Sequence, residues 1–369
     1  MARYGESTGY VLRPLLVVSL LVVSAFVGGI VGVTMVLAMI YASFKTWLVD
    51  SAEKHGISEI NSSRFGGLLV FIGVVAFVCT SLALSGSEIG STSLDFSPYF
   101  RGYEWVALLA GGLGLWEDYT KRLSAKFRLQ LLFFIVASYY LIFPSALPTD
   151  VFPSYYPHFL NHPVVVGLGV TVCVVGFINA GNIADGANGL LSCIAMAVFL
   201  IAYMETGALI YIALLASVFV FAIFNMSTGL MFLGDFGSYG LSALMALVCV
   251  DLYSQGGSSL WFYACLLGYP SVELIRVVVA RWRRGASPMT ADNNHLHNRL
   301  FSKFKMMGLS PLIANSFTGL TLSLLSTLLP LVGYLSGVIP IDSMIWGFIF
   351  LVYSVLHVLL FDKIANNNG

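Results

Sequence analysis

The chain has 369 residues, of which 58% are hydrophobic and 10% are charged, and its mean hydropathy is +0.88. A soluble globular domain is about half apolar and about a quarter charged, so this composition excludes an ordinary soluble fold and indicates a surface that faces lipid. The formal net charge of zero excludes the strong basic field that is typical of nucleic-acid-binding proteins.

Apolar segments recur along the whole chain, and about 20 apolar helical residues are enough to cross a bilayer core. The sequence therefore predicts an all-α, polytopic membrane protein with about eleven transmembrane helices, organised as a single domain over residues 1–369. The predicted helices are 14–42, 65–85, 102–116, 129–146, 163–180, 189–204, 207–225, 238–253, 259–279, 312–334 and 344–361. The first apolar run is too long for a signal peptide and is predicted to be retained as a span.

The basic residues predict the orientation of these helices. With the N-terminus outside, fifteen of the 18 Lys and Arg residues lie in inward loops or at the C-terminus, and only Arg3, Arg13 and Arg101 lie outside. Because inward loops of membrane proteins are enriched in Lys and Arg, this orientation is favoured over the opposite one. The inward loops are then the place to look for a cytoplasmic site.

The first polar motif of the inward side is Glu117–Asp118, within the segment GGLGLWEDYTKRLSAKFR. The predicted third helix, 102–116, is only about 22 Å long at ~1.5 Å per residue, which is shorter than the ~30 Å bilayer core. The pair is therefore predicted to lie in a recess below the membrane surface. Two adjacent carboxylates can bind a cation or accept a proton; the alternative is an acidic helix end balanced by the basic residues that follow.

The second motif, FINAGNIADGANGLLS, places polar residues at every third position: Asn179, Asn182, Asp185 and Asn188. Neighbouring members share a helix face, whereas the first and the last do not. The glycines between them would let the backbone approach a ligand. A polar seam between two helices, built on small residues, is the alternative, although such a seam does not need an aspartate.

The third motif is MFLGDFGSYG, in which Asp235 stands between glycines at the start of the predicted eighth helix. An aspartate here is either an N-terminal helix cap or an oxygen ligand for Mg²⁺, which typically uses one or two protein carboxylates together with substrate phosphates.

The fourth motif, SPMTADNNHLHNRLF, carries His295 and His297. On a helix their side chains would point about 160° apart, so both serve one ligand only if the segment is not helical. A zinc site is disfavoured because neither a cysteine nor a third histidine is near.

Basic residues surround the two histidines. The arginines at 281, 283, 284 and 299 form either an anion-attracting rim or anchors at the membrane surface. Glu273 and Arg276, three residues apart, are predicted to form a local ion pair.

The ordered set of motifs resembles the polyprenyl-phosphate N-acetylhexosamine-1-phosphate transferases, relatives of phospho-N-acetylmuramoyl-pentapeptide transferase. The resemblance covers about residues 60–310 and rests on SSRFGG, the acidic pair ahead of TKR, NIADGANG, FLGDFGS and HLHN. It implies an enzyme of the bacterial inner membrane whose active site faces the cytoplasm. This enzyme would move a sugar 1-phosphate from a UDP-N-acetylhexosamine to undecaprenyl phosphate, release UMP, and so initiate a glycan of the cell wall or of lipopolysaccharide.

The resemblance also implies roles for individual residues. Asp235 would bind Mg²⁺, or Mn²⁺ in its place, with Asn182 completing the site. Asp118, together with Glu117, would handle the lipid phosphate as a base. Asp185 would be catalytic and help to hold the nucleotide. Substrate contacts would come from the residues Asn182, Asn188, His295, His297 and Arg299. A homodimer is compatible with the resemblance.

The chain departs from the family pattern at three positions. Glu117 replaces the first aspartate of the usual Asp–Asp pair, Asn188 replaces the second acid of the DGxDG motif, and Asn298 stands where a further histidine is frequent. These departures leave the sugar donor open and admit a catalytically weakened relative. A transporter or lipid-linked-sugar flippase is the alternative from another class, and it predicts a polar path near the bilayer midplane.

Overall fold

The structure is a computed structural model that describes residues 49–50, 62–85, 101–149, 151–152, 156–287 and 294–366. The predicted first span, 14–42, lies outside the described residues. Within them the chain is helical, apart from a two-residue antiparallel pair of β1 (Val49–Asp50) and β2 (Ser62–Ser63) and short turns. The all-α class predicted from composition is therefore confirmed.

The α-helices follow one another in chain order. They are α1 (Gly66–Ser85), α2 (Tyr103–Thr120), α3 (Ala125–Ile142), α4 (Pro163–Ala184), α5 (Leu190–Thr206), α6 (Leu209–Thr228), α7 (Gly234–Ser254), α8 (Leu260–Leu266), α9 (Gly268–Arg283), α10 (Leu296–Met306), α11 (Pro311–Ser323), α12 (Leu329–Ser336) and α13 (Ile345–Asn366). A π-helical segment, Leu324–Leu328, joins α11 to α12.

Six helical stretches of the described residues are long and apolar enough to cross a membrane, and α8 with α9 makes a possible seventh. The chain is thus a multi-span membrane protein, although the predicted count of eleven helices is not confirmed. The predicted ninth helix, 259–279, is wrong as a straight span because α8 and α9 meet at an angle of 84°. Glu104, Glu117 and Asp118 reduce the apolar character of α2.

Helix α7 lies at the centre of the bundle, where α1, α2, α4 and α5 pack against it. Small residues allow these helices to come close. A Cβ atom at Gly114 of α2 would be 2.1 Å from the carbonyl oxygen of Asp235, and one at Gly67 of α1 would be 2.1 Å from the Cα atom of Gly237. Such distances leave no room for a side chain, so glycine at these positions brings the first turn of α7 against α1 and α2.

Two helix boundaries differ from the prediction and change the setting of the acidic motifs. Helix α2 continues to Thr120 and is about 27 Å long at ~1.5 Å per residue, so Glu117 and Asp118 lie within its last turns. The prediction that the helix ends before the pair is therefore wrong, whereas the recess stays a prediction. Helix α7 begins at Gly234 with Leu233 at the cap position, so Asp235 lies inside the first turn and its interpretation as the N-terminal cap is also wrong.

Candidate active site

The ends of three helices bring the predicted aspartates together. Asp118 lies in the last turns of α2, Asp235 in the first turn of α7, and Asp185 directly after α4. The backbone N–H of Asp235 donates to Oδ2 of Asp118 at 2.8 Å, and the carboxyl of Asp185 is near enough to both aspartates for their negative charges to act on it. Three motifs that are separate in the sequence thus form one acidic cluster.

Asp118 is the most enclosed member of this cluster, with only 2% of its side chain exposed. Its Oδ1 atom forms an ion pair with the guanidinium of Arg64, which is also buried. The segment that precedes α1 holds Arg64 in place, since the neighbouring Ser63 donates its N–H to the carbonyl of Leu230 and accepts from the N–H of Phe232, both at 2.9 Å. Both oxygens of Asp118 therefore have protein partners, and the residue links α1, α2 and α7.

Asp235 has a more accessible carboxylate, with 25% of its side chain exposed. The Nδ2 atom of Asn182 donates to Oδ1 of Asp235 at 2.9 Å and to the hydroxyl of the fully buried Ser238 at 2.9 Å. Asn182 therefore orients Asp235 through its amide nitrogen. An amide that bridges two fixed partners holds the carboxylate in one direction, as residues around metal ligands commonly do.

Arg128, at the start of α3, is the cation on the open side of the cluster. One of its terminal nitrogens lies 3.8 Å from Oδ2 of Asp235 and 3.9 Å from Oε1 of Glu117, and it donates to the hydroxyl of Tyr239 at 3.2 Å. The Nε atom of Arg128 is buried and has no partner among the described residues. An arginine with a spare donor beside carboxylates is suited to an anionic ligand.

Glu117 has a role in the turn between α2 and α3. Its Oε2 atom accepts a hydrogen bond from the backbone N–H of Leu123 at 3.0 Å. The predicted acidic pair is therefore divided in space: Glu117 borders Arg128 and the turn, whereas Asp118 is directed to Arg64 and α7.

The pKa of Asp185 is affected by its position beside two other acids, Asp118 and Asp235. Burial, together with the negative charges of Asp235 and Asp118, raises the pKa of the Asp185 carboxyl well above its usual range, although the nearby backbone N–H groups of Leu233 and Gly234 oppose the shift. A carboxyl group of this kind can hold or accept a proton nearer to neutral pH than an ordinary aspartate.

Asn188 lies in a buried amide network. Its side chain is directed to Asn225 of α6 and to Asn315 and Ser316 of α11, and the backbone N–H of Asn188 donates to Oδ1 of Asn315 at 3.0 Å. Only 1% of the residue is exposed. This geometry favours a role of Asn188 in helix packing over the predicted substrate contact. For Asn188, the alternative of a polar seam between helices therefore fits the structure better.

His295 and His297 lie at the start of α10, a helix that the sequence analysis did not predict. Because the helix begins between them, the two rings are not splayed apart but stack with centroids 5.3 Å apart and planes 10° apart. A Cβ atom at Gly186 would be 2.8 Å from Nε2 of His297. The histidine motif therefore contacts the 185–189 loop, which joins it to the acidic cluster.

The predicted ion pair between Glu273 and Arg276 is present, with Nε of Arg276 3.1 Å from Oε2 of Glu273. Glu273 has further partners that the sequence analysis missed, namely His295 and His357. Arg299, predicted to contact substrate, donates to Oδ1 of Asn294 at 2.9 Å and to the carbonyl of Phe361 at 3.0 Å. It packs on the ring of Phe361 and so anchors α13 to the histidine segment.

The residues present fit a Mg²⁺ ion that is held mainly by substrate. Within the described ranges, no three His, Cys, Asp or Glu side chains form a metal-binding group. One partly exposed carboxylate, Asp235, is oriented by Asn182 beside a second acid, and this hard oxygen donor matches the one or two carboxylates that Mg²⁺ uses when phosphates supply other ligands.

Sequence reasoning missed the two arginines of the cluster as site residues. Arg64 and Arg128 were counted only as basic residues that set the orientation, yet both contact the aspartates. The signal was present in SSRFGG and in the basic residues after the acidic pair. Their partners could not be assigned from the sequence, because Arg64 and Asp118 are 54 residues apart.

Comparison with known proteins supports the motif-based resemblance. Residues 101–253 match the model of glycosyl transferase family 4. A probable undecaprenyl-phosphate N-acetylglucosaminyl 1-phosphate transferase of Bacillus subtilis is 26% identical, over 70% of this chain and 71% of that protein.

Two further relatives match shorter parts. A phospho-N-acetylmuramoyl-pentapeptide-transferase of Lactococcus lactis is 28% identical, over 56% of this chain and 64% of that protein. An undecaprenyl-phosphate alpha-N-acetylglucosaminyl 1-phosphate transferase of Thermotoga maritima is 30% identical, over 38% of this chain and 44% of that protein. The segment that is similar to glycosyl transferase family 4, residues 101–253, contains Asp118, Asp185 and Asp235.

Proposed function

We propose that this protein transfers an N-acetylhexosamine 1-phosphate from a UDP-sugar to undecaprenyl phosphate and releases UMP. The reaction would take place at the cytoplasmic face of the bacterial inner membrane and would start a glycan of the cell wall or of lipopolysaccharide. The observation that carries the proposal is the convergence of Asp118, Asp185 and Asp235 with two arginines at the ends of apolar helices. The names of the relatives support the acceptor and the type of group transferred.

The chemistry is a displacement at phosphorus. An oxygen of the lipid phosphate attacks the phosphorus atom that carries the sugar, a new P–O bond forms, and the bond to the UMP phosphate breaks. The bond between the sugar and its phosphate stays intact. Most of the protein's contribution to such a reaction is to position two anions and to balance their charge.

A Mg²⁺ ion, or Mn²⁺ in its place, would balance part of the charge of the donor diphosphate when bound. Asp235 would hold the ion, and Asn182 would orient the carboxylate through the hydrogen bond to Oδ1. Asn182 was also predicted to bind the ion and substrate directly; its present contacts favour the orienting role.

Arg128 is suited to the phosphate of the lipid acceptor. It borders Asp235 and Glu117 at 3.8 and 3.9 Å, and its buried Nε–H has no partner among the described residues. A phosphate oxygen would satisfy that donor. Exposed apolar side chains, among them Trp116 and Phe127, lie at the helix ends beside it, so an anionic headgroup would reach Arg128 while its hydrocarbon chain stays in lipid.

The roles of Asp118 and Asp185 follow from their partners. Asp118 was predicted to be the base, but its two oxygens already accept from Arg64 and from the N–H of Asp235. We therefore assign it to positioning these two groups. Asp185 is the more suitable group to take a proton from a protonated lipid phosphate. Across the 185–189 loop, His295 and His297 would contact the nucleotide or the sugar.

The test is an assay of the purified protein in detergent with undecaprenyl phosphate and a panel of UDP-N-acetylhexosamines. We expect a lipid-linked sugar diphosphate and an equal amount of UMP, both dependent on added Mg²⁺ and abolished by a chelator. If neither product forms with any donor of the panel, the proposal is wrong. Formation of UMP and free sugar phosphate without a lipid product would identify a hydrolase instead.

The flippase alternative predicts a polar path near the bilayer midplane. The acids and arginines described above cluster at helix ends, so no specific observation favours this alternative.

A further inference from the structure

Glu273 of α9 is a fully buried carboxylate with partners from three elements of the chain. Arg276 donates to it from the next turn, with Nε 3.1 Å from Oε2. His295 Nδ1 lies 3.0 Å from Oε1, and His357 Nε2, from α13, lies 2.8 Å from Oε2. A carboxylate paired with a guanidinium is ionised, and an ionised carboxylate can only accept hydrogen bonds.

The partners therefore fix the positions of the ring hydrogens. Nδ1 of His295 and Nε2 of His357 must both carry hydrogen, because each faces an acceptor. In a neutral imidazole the other nitrogen is then an acceptor. For His357 this is consistent with the hydroxyl of Tyr353, a donor 3.4 Å from Nδ1. For His295 it leaves Nε2 as a hydrogen-bond acceptor or proton acceptor.

His297 has the opposite assignment. The hydroxyl of the fully buried Tyr269 lies 2.9 Å from Nδ1 of His297 and accepts from the backbone N–H of the same residue at 3.2 Å. Because the Tyr269 oxygen already accepts from this backbone N–H, we assign its hydroxyl hydrogen to Nδ1 of His297. The ring hydrogen of His297 is then on Nε2, the atom that lies against Gly186 of the 185–189 loop.

We propose that Glu273 and His357 are positioning residues that hold His295 as the Nδ1–H tautomer, so that the stacked pair has an acceptor nitrogen on His295 and a donor nitrogen on His297. The C-terminal helix α13 is then part of the active-site scaffold. It supplies His357 to Glu273 and Phe361 to the two arginines that flank the histidine segment, with Arg276 and Arg299 3.6 and 3.7 Å from the ring centroid.

The functional consequence rests on the proposed function, in which the histidines contact the sugar nucleotide. An acceptor nitrogen suits a sugar or ribose hydroxyl, and changing the tautomer would place a hydrogen where that hydroxyl needs an acceptor. The effect should therefore fall on the UDP-sugar and not on the lipid acceptor. A purely structural role of Glu273 would make no such distinction between the two substrates.

The kinetic test uses variants of His357, to which the proposed function assigns no contact with either substrate. His357→Phe keeps a ring but removes the donor to Glu273, and His357→Gln keeps an N–H donor. We expect His357→Phe to lower kcat/KM for UDP-N-acetylglucosamine by about 10- to 100-fold, as for carboxylates that orient metal-bound histidines. The KM for undecaprenyl phosphate should stay within about twofold by the same reasoning, and His357→Gln should recover most of the loss.

Ser354→Ala is the matched control on α13, because the hydroxyl of Ser354 donates within its own helix, to the carbonyl of Phe350. It should behave as the parent protein. Parent-like kcat/KM in His357→Phe would overturn the proposal. So would a loss that affects both substrates equally and follows the loss of folded protein in a thermal melt.

A second measurement is independent of activity. Histidine labelled with ¹⁵N reports by NMR which ring nitrogen carries hydrogen, and His295→Asn and His297→Asn variants assign the signals. We expect the Nδ1–H form for His295 and the Nε2–H form for His297. A hydrogen on Nε2 of His295 would overturn the inference even if the enzyme is active. If the parent protein is inactive with all UDP-sugars, the proposed function fails, and the NMR result alone decides this inference.

Discussion

Asp235 is the residue on which the metal proposal depends, because it is the carboxylate of the cluster that is both partly exposed and held in one direction by Asn182. Asp235→Asn keeps the size of the side chain and removes its charge. We expect turnover to fall on the order of 100-fold or more, since a bound metal supplies several kcal/mol of charge stabilisation. The measurement is the initial rate as a function of Mg²⁺ concentration.

Asp251→Asn is the matched control, because Asp251 belongs to the last turn of the same helix and bonds to the nearby Gln255 at 3.0 Å. It should keep the parent rate and Mg²⁺ response. A rate near that of the parent in Asp235→Asn would contradict the assignment of Asp235 as the metal ligand.

The ion pair of Asp118 with Arg64 allows a distinction between a base and a positioning residue. Both side chains are buried, with 2% and 7% exposed, and removing one partner of a buried pair typically costs about 3–5 kcal/mol. We expect Asp118→Asn to lose activity and also to lower the thermal midpoint of the purified protein.

A double-mutant cycle with Arg64→Gln tests the link between the two residues. If they act as a unit, the double variant should be no less stable than Asp118→Asn alone, with a coupling of about 0.5–3 kcal/mol. Additive losses of stability would show that the two residues do not act as a unit. An Asp118→Asn protein that is as stable as the parent but inactive would restore Asp118 as the catalytic base.

For Glu117 we predict only a small effect of substitution. Glu117→Asp restores the aspartate pair of the family, and the sequence alone predicts that it is tolerated. The shorter side chain would, however, lose the 3.0 Å contact with the N–H of Leu123, which typically contributes about 1 kcal/mol. We expect an active protein with a slightly lower thermal midpoint. An inactive Glu117→Asp protein of normal stability would show that Glu117 has a chemical role.

Among the elements, the contact between α2 and α7 decides where Asp118 and Asp235 meet. Gly114 allows this contact, since a Cβ atom there would be 2.1 Å from the backbone oxygen of Asp235. We expect Gly114→Ala to push the two helices apart and to reduce turnover about tenfold or more, because small displacements of positioned groups are costly. Activity and thermal midpoint are measured on the same preparation.

Gly112 offers the control on the same helix, because a Cβ atom there meets nothing within 4 Å. Gly112→Ala should leave activity unchanged and stabilise the helix by a fraction of a kcal/mol. Equal effects of the two substitutions would mean that helix propensity, and not the contact with α7, explains the result.

The bend between α8 and α9 shows why helix boundaries were harder to predict than helix positions. The run 259–279 is continuously apolar enough to be predicted as one straight span, yet its two parts meet at 84°. Hydropathy measures only the preference for lipid. The direction of each part depends on its packing against other helices, among them α13.

At the scale of the whole molecule, the distribution of Lys and Arg residues predicts the orientation in the membrane, with the N-terminus outside. In a protein without its native cysteines, single cysteines at positions 123 and 286 should be protected from an impermeant thiol reagent that is added to intact cells. A cysteine at position 342, in a predicted outward loop, should react and serves as the control. Labelling of 123 and 286 from outside would reverse the orientation and move the active site to the other face.

The candidate site was only partly accessible to sequence reasoning. The motifs around Asp118, Asp185 and Asp235 identified a shared inward site, and the structure brings these three together. Asn188 belonged to the same motif, but its amide contacts Asn225 and Asn315 in a buried seam. Spacing along one helix shows which residues share a face; it does not show what that face contacts.

The sequence by itself determined the membrane character, the all-α class, the family resemblance and the identity of the acidic motifs. These features depend on composition and on local patterns, and such patterns can be recognised from residues that are close together in the sequence. The tertiary structure alone decided that Arg64 pairs with Asp118 and that His357 reaches Glu273, residues that are 54 and 84 positions apart. Such pairs form only when helix packing brings distant segments together, because a polar group buried among helices must find its partner wherever the fold supplies one.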